Sequence, residues 1–182
     1  LPEVEVIVRE LKARLVGEVI RRIQINWQKS LVQTGNSLPL GAIIQSVDRY
    51  GKFIIVSLDK EFILIHLRMT GQIIISEIED QFSTNHLQVI FDLKSGKRIL
   101  YYDARKFGRI YLTSDPDKYF KDLGLDALSP DFTKKGMIEV LSRKKSRIKT
   151  FLLDQKNIAG LGNIYSDECL FAAGIHPETQ AN

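Results

Sequence analysis

Cysteine is nearly absent: Cys169 is the only one among 182 residues. Neither a disulfide framework nor a cysteine-based metal site can be built from it, and its position inside an apolar helical run fits a reducing compartment. Long hydrophobic runs are also lacking. No stretch approaches the roughly 18 apolar residues that cross a bilayer, and no basic segment leads into an apolar one at the start, so neither a membrane span nor a secretion signal is expected. There is no internal repeat and no low-complexity tract. Acid is in mild deficit, with 22 Asp and Glu against 26 Lys and Arg. That tilts the chain toward polyanionic partners, although a mildly basic enzyme without nucleic acid has the same balance. What remains is an ordinary globular composition, 44% hydrophobic and 26% charged, enough for one large domain or two small ones. The chain begins at Leu1 without Met and stops at Asn182, so both ends read as cut.

Two textures follow one another along the chain. Residues 1–17 place Val4, Ile7, Val8, Leu11 and Leu15 at helical spacing, with Arg9, Glu10, Lys12 and Arg14 elsewhere, which predicts an amphipathic helix. From about 19 to 112 the pattern changes to short β-branched runs: VIRRIQINW, AIIQSVDRY, FIIVSL, FILIHLRM, GQIIISEI, HLQVIFDL, RILYYDA and GRIYLT. Breaks such as YGK, LDKE and LKSGKR predict tight antiparallel connections. Beyond the TSDPDKY and ALSPDF breaks the pattern is helical, over 137–143, 148–154 and 164–173. The expected fold class is α+β: a β-sandwich or flattened barrel over 1–120 with its leading helix, then a helical domain over 121–182.

The most informative stretch is KNIAGLGNIYSDECLF, residues 156–171. A helix that opens at a glycine turn exposes backbone N–H groups without internal partners, and the macrodipole adds about half a positive charge there. Gly160 and Gly162 let the backbone approach a ligand, and Asn163 can cap the helix or reach the same anion. Just upstream, residues 134–149 carry seven Lys or Arg and one acid, with Lys149 at the start of the preceding helix. Such a cluster suits a phosphate backbone, whose neutralisation releases counterions. A solvated basic helix beside a plain glycine turn is the competing account.

Three further stretches matter. Lys52 in RYGKF falls in a loop between strands, Met69 in HLRMTGQ sits just after an apolar strand, and Arg105, Lys106 and Phe107 follow one another in YYDARKFGR. Basic residues beside an exposed aromatic are what a protein wedges into a base stack while holding phosphates. Taken singly, each has a plain reading: a solvated lysine, a methionine packed beneath its turn, a charged loop.

Together LPEVE, RYGKF, HLRMTG, DARKFGR and KTFLLDQKNIAGLGNIYSDECLFAAGIHP, in this order along nearly the whole chain, resemble the formamidopyrimidine-DNA glycosylases. The resemblance implies an N-terminal β-sandwich and a helix-two-turn-helix DNA-binding domain whose turn is NIAGLGN. It implies a bifunctional glycosylase and lyase that removes oxidised purines from duplex DNA and cuts the abasic site by β,δ-elimination. It gives Met69, Arg105 and Phe107 the space left by an extruded nucleotide, with Arg105 facing the orphaned cytosine. Lys52, Lys149 and Asn163 would grip phosphates, Lys52 also acting on the leaving group. His86 matches a DNA-contacting histidine and Glu168 an acid near the reacting amine; both also read as ordinary structural residues.

The family's nucleophile is the amine of an N-terminal proline followed by glutamate, and this chain aligns from the leucine after them. Pro2 and Glu3 are therefore the second such pair, and a proline nitrogen inside a peptide bond has no usable lone pair. The resemblance likewise places the family's zinc in a four-cysteine finger beyond Asn182, with no metal ligands in the chain itself. Double-stranded DNA carrying oxidised bases or abasic sites is the expected partner of a monomeric bacterial protein, cytoplasmic and nucleoid-associated. An endonuclease VIII-type enzyme for oxidised pyrimidines and a non-catalytic DNA-binding paralogue stand as alternatives.

Overall fold

The computed structural model describes residues 1–33, 37–142 and 144–182; Arg143, counted above in the basic cluster and in the 137–143 helix, lies outside the described residues. The chain divides into two compact units. One comprises residues 2–49 and 53–116, the other residue 1, the hairpin turn 50–52 and residues 117–182.

The first unit opens with α1, Pro2–Leu15, whose Val4, Val8, Leu11 and Leu15 are buried at helical spacing. Glu3 and Glu5 in its first turn and Lys12 and Arg14 in its last complement the helix dipole. Among the described residues nine strands follow: β1 Ile20–Ile25, β2 Leu31–Gln33, β3 Ser46–Tyr50, β4 Phe53–Ser57, β5 Phe62–His66, β6 Gly71–Glu77, β7 Leu87–Leu93, β8 Lys97–Asp103 and β9 Arg109–Thr113. They form a four-stranded sheet, β1-β7-β8-β6, and a five-stranded sheet, β2-β9-β5-β4-β3. All eight apolar runs in the sequence become strands. Strand β2, of three residues and too short to show a period, pairs in parallel with β9.

Side chains from both sheets and α1 share one core, including Val4, Leu15, Ile54, Ile65, Val89, Phe91 and Ile110, so the unit is a sandwich closed by its leading helix. Strand β7 is buried along its whole length because Leu87 and Ile90 form a second apolar cluster with Leu100, outside the main core. Hence HLQVIFDL reads as a continuous run and not as an alternation.

The second unit holds α2 Asp117–Phe120, β10 Leu125–Asp126, α3 Lys134–Leu141, α4 Ile148–Leu153, β11 Ile158–Ala159 and α5 Asn163–Ala173. Its core is smaller: Ile148, Phe151, Leu152, Ile158 and Leu170 are buried, with Phe132, Met137 and Leu161 against them. Cys169 is exposed. Helix α5 turns only Ser166 and Leu170 fully inward and leaves Ile164 and Phe171 exposed.

Candidate nucleic-acid interface

The candidate residues fall into two groups, one in each unit. In the helical unit, Gly160 takes a left-handed φ of 95°, and a side chain there would also come within 2.6 Å of Leu1. The turn is braced by Gln155, which the sequence did not single out. Its Oε1 accepts the Gly160 N–H at 2.9 Å, and its Nε2 donates to the Leu161 carbonyl at 2.7 Å. Lys52 Nζ donates to the same carbonyl at 3.1 Å. The lysine is held at the turn through its neighbour as well, since the Gly51 N–H donates to buried Asp126 at 2.6 Å.

The cap of α5 differs from the expectation. Gly162 is the N-cap and Asn163 the first helical residue, with no side-chain cap bond. The extended backbone of Gly162 leaves the Asn163 side chain exposed on the helix face, free to meet a ligand. Asp167, one turn on, shares that face and pairs with Lys149 at 2.6 Å. Within the basic cluster, Arg147 likewise pairs with Glu178. Lys134 and Lys135 open α3, where the helix dipole disfavours cations, and both are exposed. Glu168 is exposed on α5.

In the sandwich unit, Met69 is 73% exposed and Phe107 51%, so Met69 does not pack beneath its turn. Arg105 stacks its guanidinium 4.7 Å from the Phe107 ring centre, a cation–π contact worth about 0.5–1 kcal/mol at an exposed site. Met69, His86 and this pair lie on three loops tied to one buried residue, Asp103. Its oxygens accept from the Thr70 hydroxyl, from the Arg105 N–H at 3.2 Å and from the Gly108 N–H at 2.7 Å. Its backbone N–H donates to the His86 carbonyl at 2.9 Å. Gln88, also buried, donates to the carbonyls of both His86 and Asp103.

Among the described residues, the non-glycine residues with positive φ are Arg68, His86 and Lys106, one in each of these loops. Each such conformation costs about 1–2 kcal/mol. A Cβ at Gly108 would lie 1.9 Å from the Tyr101 hydroxyl, which makes glycine necessary there. Burial, then the neighbouring Asp103 charge, push the Tyr101 phenol above its ordinary range. A histidine passed over in the sequence, His66 at the end of β5, accepts the Arg68 N–H on Nδ1 at 3.1 Å and packs edge-on against Phe53.

Each of the two units has counterparts among known proteins. The family description "Formamidopyrimidine-DNA glycosylase N-terminal domain" fits residues 1–110, and "Formamidopyrimidine-DNA glycosylase H2TH domain" fits residues 123–182. The chain belongs to the formamidopyrimidine-DNA glycosylase family. A relative from Bacillus subtilis is 38% identical over 192 residues, covering 100% of this chain and 69% of the relative. One from Mycoplasma pneumoniae is 35% identical over 190 residues with the same coverage. Among solved structures, Lactococcus lactis Fpg in complex with DNA containing an abasic site superimposes with a TM-score of 0.89 at 34% identity, covering 100% of this chain and 69% of that one. MutM with DNA containing carbocyclic 8-oxo-G superimposes at 0.90 with 36% identity, covering 100% and 70%. Among the described residues, no three His, Cys, Asp or Glu are grouped to hold a metal.

Proposed function

We propose that this chain binds duplex DNA at an oxidised purine or an abasic site and serves base excision, with 8-oxoguanine and formamidopyrimidines as the bases removed. The observation that carries the reading is the turn before α5. The N–H groups of its first residues point out of the helix, Lys52 is fixed at the Leu161 carbonyl beside them, and Asn163 and the Lys149–Asp167 pair flank them. This is an anion cradle suited to a backbone phosphate. Met69, Arg105 and Phe107 supply the second requirement, because a base is reached only after extrusion from the stack and the space it leaves must be filled.

In this reading Arg105 presents donors to the orphaned partner base, and Phe107 and Met69 fill the gap. Lys52 stabilises the negative charge that develops as the base departs, and Glu168 exchanges protons near the reacting amine. Lyase cleavage proceeds through a Schiff base formed by a secondary amine, followed by β- and δ-elimination. Pro2 does not supply that amine: it opens α1 with its nitrogen in a peptide bond.

The test is borohydride trapping of the chain carrying a Pro-Glu pair ahead of Leu1, on duplexes containing 8-oxoguanine, an oxidised pyrimidine, or an abasic site. Covalent adducts with the first and third are expected. Preferential trapping on the oxidised pyrimidine would favour an endonuclease VIII-type specificity, and binding without any adduct would favour a non-catalytic DNA-binding role.

A further inference from the structure

The loop that carries Arg105 and Phe107 is held from both sides by the residues at its two ends. Asp103 accepts the N–H groups of Arg105 and Gly108, while Arg109 donates to the carbonyls of Lys106 at 2.8 Å and Gly108 at 2.6 Å. The Arg109 guanidinium lies 5.1 Å and the Lys106 ammonium 5.4 Å from the centre of the Trp27 ring. Because Asp103 also receives the Thr70 hydroxyl, the Met69 turn is fastened to the same carboxylate. A residue in an unfavourable backbone region, such as Lys106 here, keeps that conformation only when its surroundings over-determine it.

We propose that Asp103 and Arg109 are positioning residues: they lock loop 104–108 and the Met69 turn in the one arrangement that lets Met69, Arg105 and Phe107 enter a duplex as a unit. Neither residue needs to touch DNA. The benefit is pre-organisation, since loops already ordered lose little entropy on insertion. The inference rests on the DNA reading above for its consequence, but the lock itself is measurable without DNA. Trp27 is the only tryptophan of the chain, so its emission reports on the two cations stacked over it.

The experiment compares wild type with Asp103→Asn, Thr70→Val and Thr70→Ser. Without DNA, acrylamide quenching of Trp27 should rise and its emission shift in Asp103→Asn. With DNA, the ratio of affinities for a duplex containing a tetrahydrofuran abasic analogue and for an undamaged duplex should fall about tenfold in Asp103→Asn, as expected for losing one charge-assisted hydrogen bond. Undamaged-duplex affinity should stay as in wild type. Thr70→Val should move in the same direction by less, and Thr70→Ser, which keeps the hydroxyl, should restore the wild-type ratio. If Asp103→Asn fails to fold, the Val and Ser pair carries the comparison alone. Unchanged Trp27 quenching together with an unchanged ratio would overturn the proposal, as would equal losses in Thr70→Ser and Thr70→Val that merely follow melting temperature. A wild-type chain with no abasic preference would refute the functional reading, while Trp27 still decides the lock.

Discussion

Phe107 and Met69 expose large apolar surfaces at the tips of pinned loops, an arrangement that contributes little to the core. Phe107→Ala should therefore change unfolding free energy by no more than about 1 kcal/mol, the worth of its contact with Arg105. Its effect belongs to lesion duplexes: affinity for an abasic duplex should fall while undamaged-duplex affinity holds, measured by competition at fixed salt. Equal losses on both would assign Phe107 to general packing. Lys149 works differently, because its ammonium already pairs with Asp167 at 2.6 Å. If that ammonium also meets phosphate, Lys149→Ala should weaken every duplex alike and lower the salt slope by about 1. Asp167→Asn, by releasing the lysine, should strengthen every duplex. A titration in which Asp167→Asn binds no better than wild type would place Lys149 outside the interface.

At the scale of elements, α1 is fastened to β3 by two ion pairs, Lys12 with Asp48 and Glu5 with Arg49. Glu5 receives Arg49 at 2.9 Å, with the Arg49 side chain only 9% exposed, and Arg9 at 2.9 Å on its other oxygen. Arg49 first, then Arg9, hold the Glu5 carboxyl below its ordinary value of 4.5. A carboxyl depressed in the folded state stabilises the fold above the unfolded value, and that contribution is lost as pH falls through the folded value. Glu5→Gln should thus cost about 1–2 kcal/mol at neutral pH, with the gap to wild type closing once pH drops well below 4.5. Urea unfolding at both pH values reads the difference; a gap independent of pH would rule out the ion pairs as its source. The same scale shows what the sequence made legible. Eight β-branched runs became eight strands because each is long enough to show its texture, whereas β2, β10 and β11, of two or three residues, are not. The turn of α5 was readable from its glycines, but the cap fell on Gly162 because Asn163 had already entered the helix. Asp103, Arg109 and Gln155 escaped notice for a common reason. They act through bonds to neighbouring backbone, and spacing along a chain carries no trace of such bonds.

For the whole molecule, the two units differ in how much core each possesses. The sandwich buries side chains from two sheets and a helix in one large cluster, while the buried cluster of the helical unit is much smaller, centred on Ile148, Phe151, Leu152, Ile158 and Leu170. Small cores leave little margin over chain entropy, and ligand-gripping segments tend to come from the less stable end of a protein. Native-state hydrogen exchange should therefore find amides of Phe151, Leu152 and Ile158 opening with lower free energy than those of Ile54, Val89 and Ile110. DNA that grips the α5 turn must stabilise the unit containing it. At a free duplex concentration of about 100 times Kd the gain is about 2.7 kcal/mol, and it should appear first at Ser166, whose N–H donates to the Gly162 carbonyl at 2.9 Å. Protection that rises equally in both units would show that the two open together. Protection that rises only in the sandwich would place the principal DNA contact on the Met69 and Phe107 loops and not on the glycine turn.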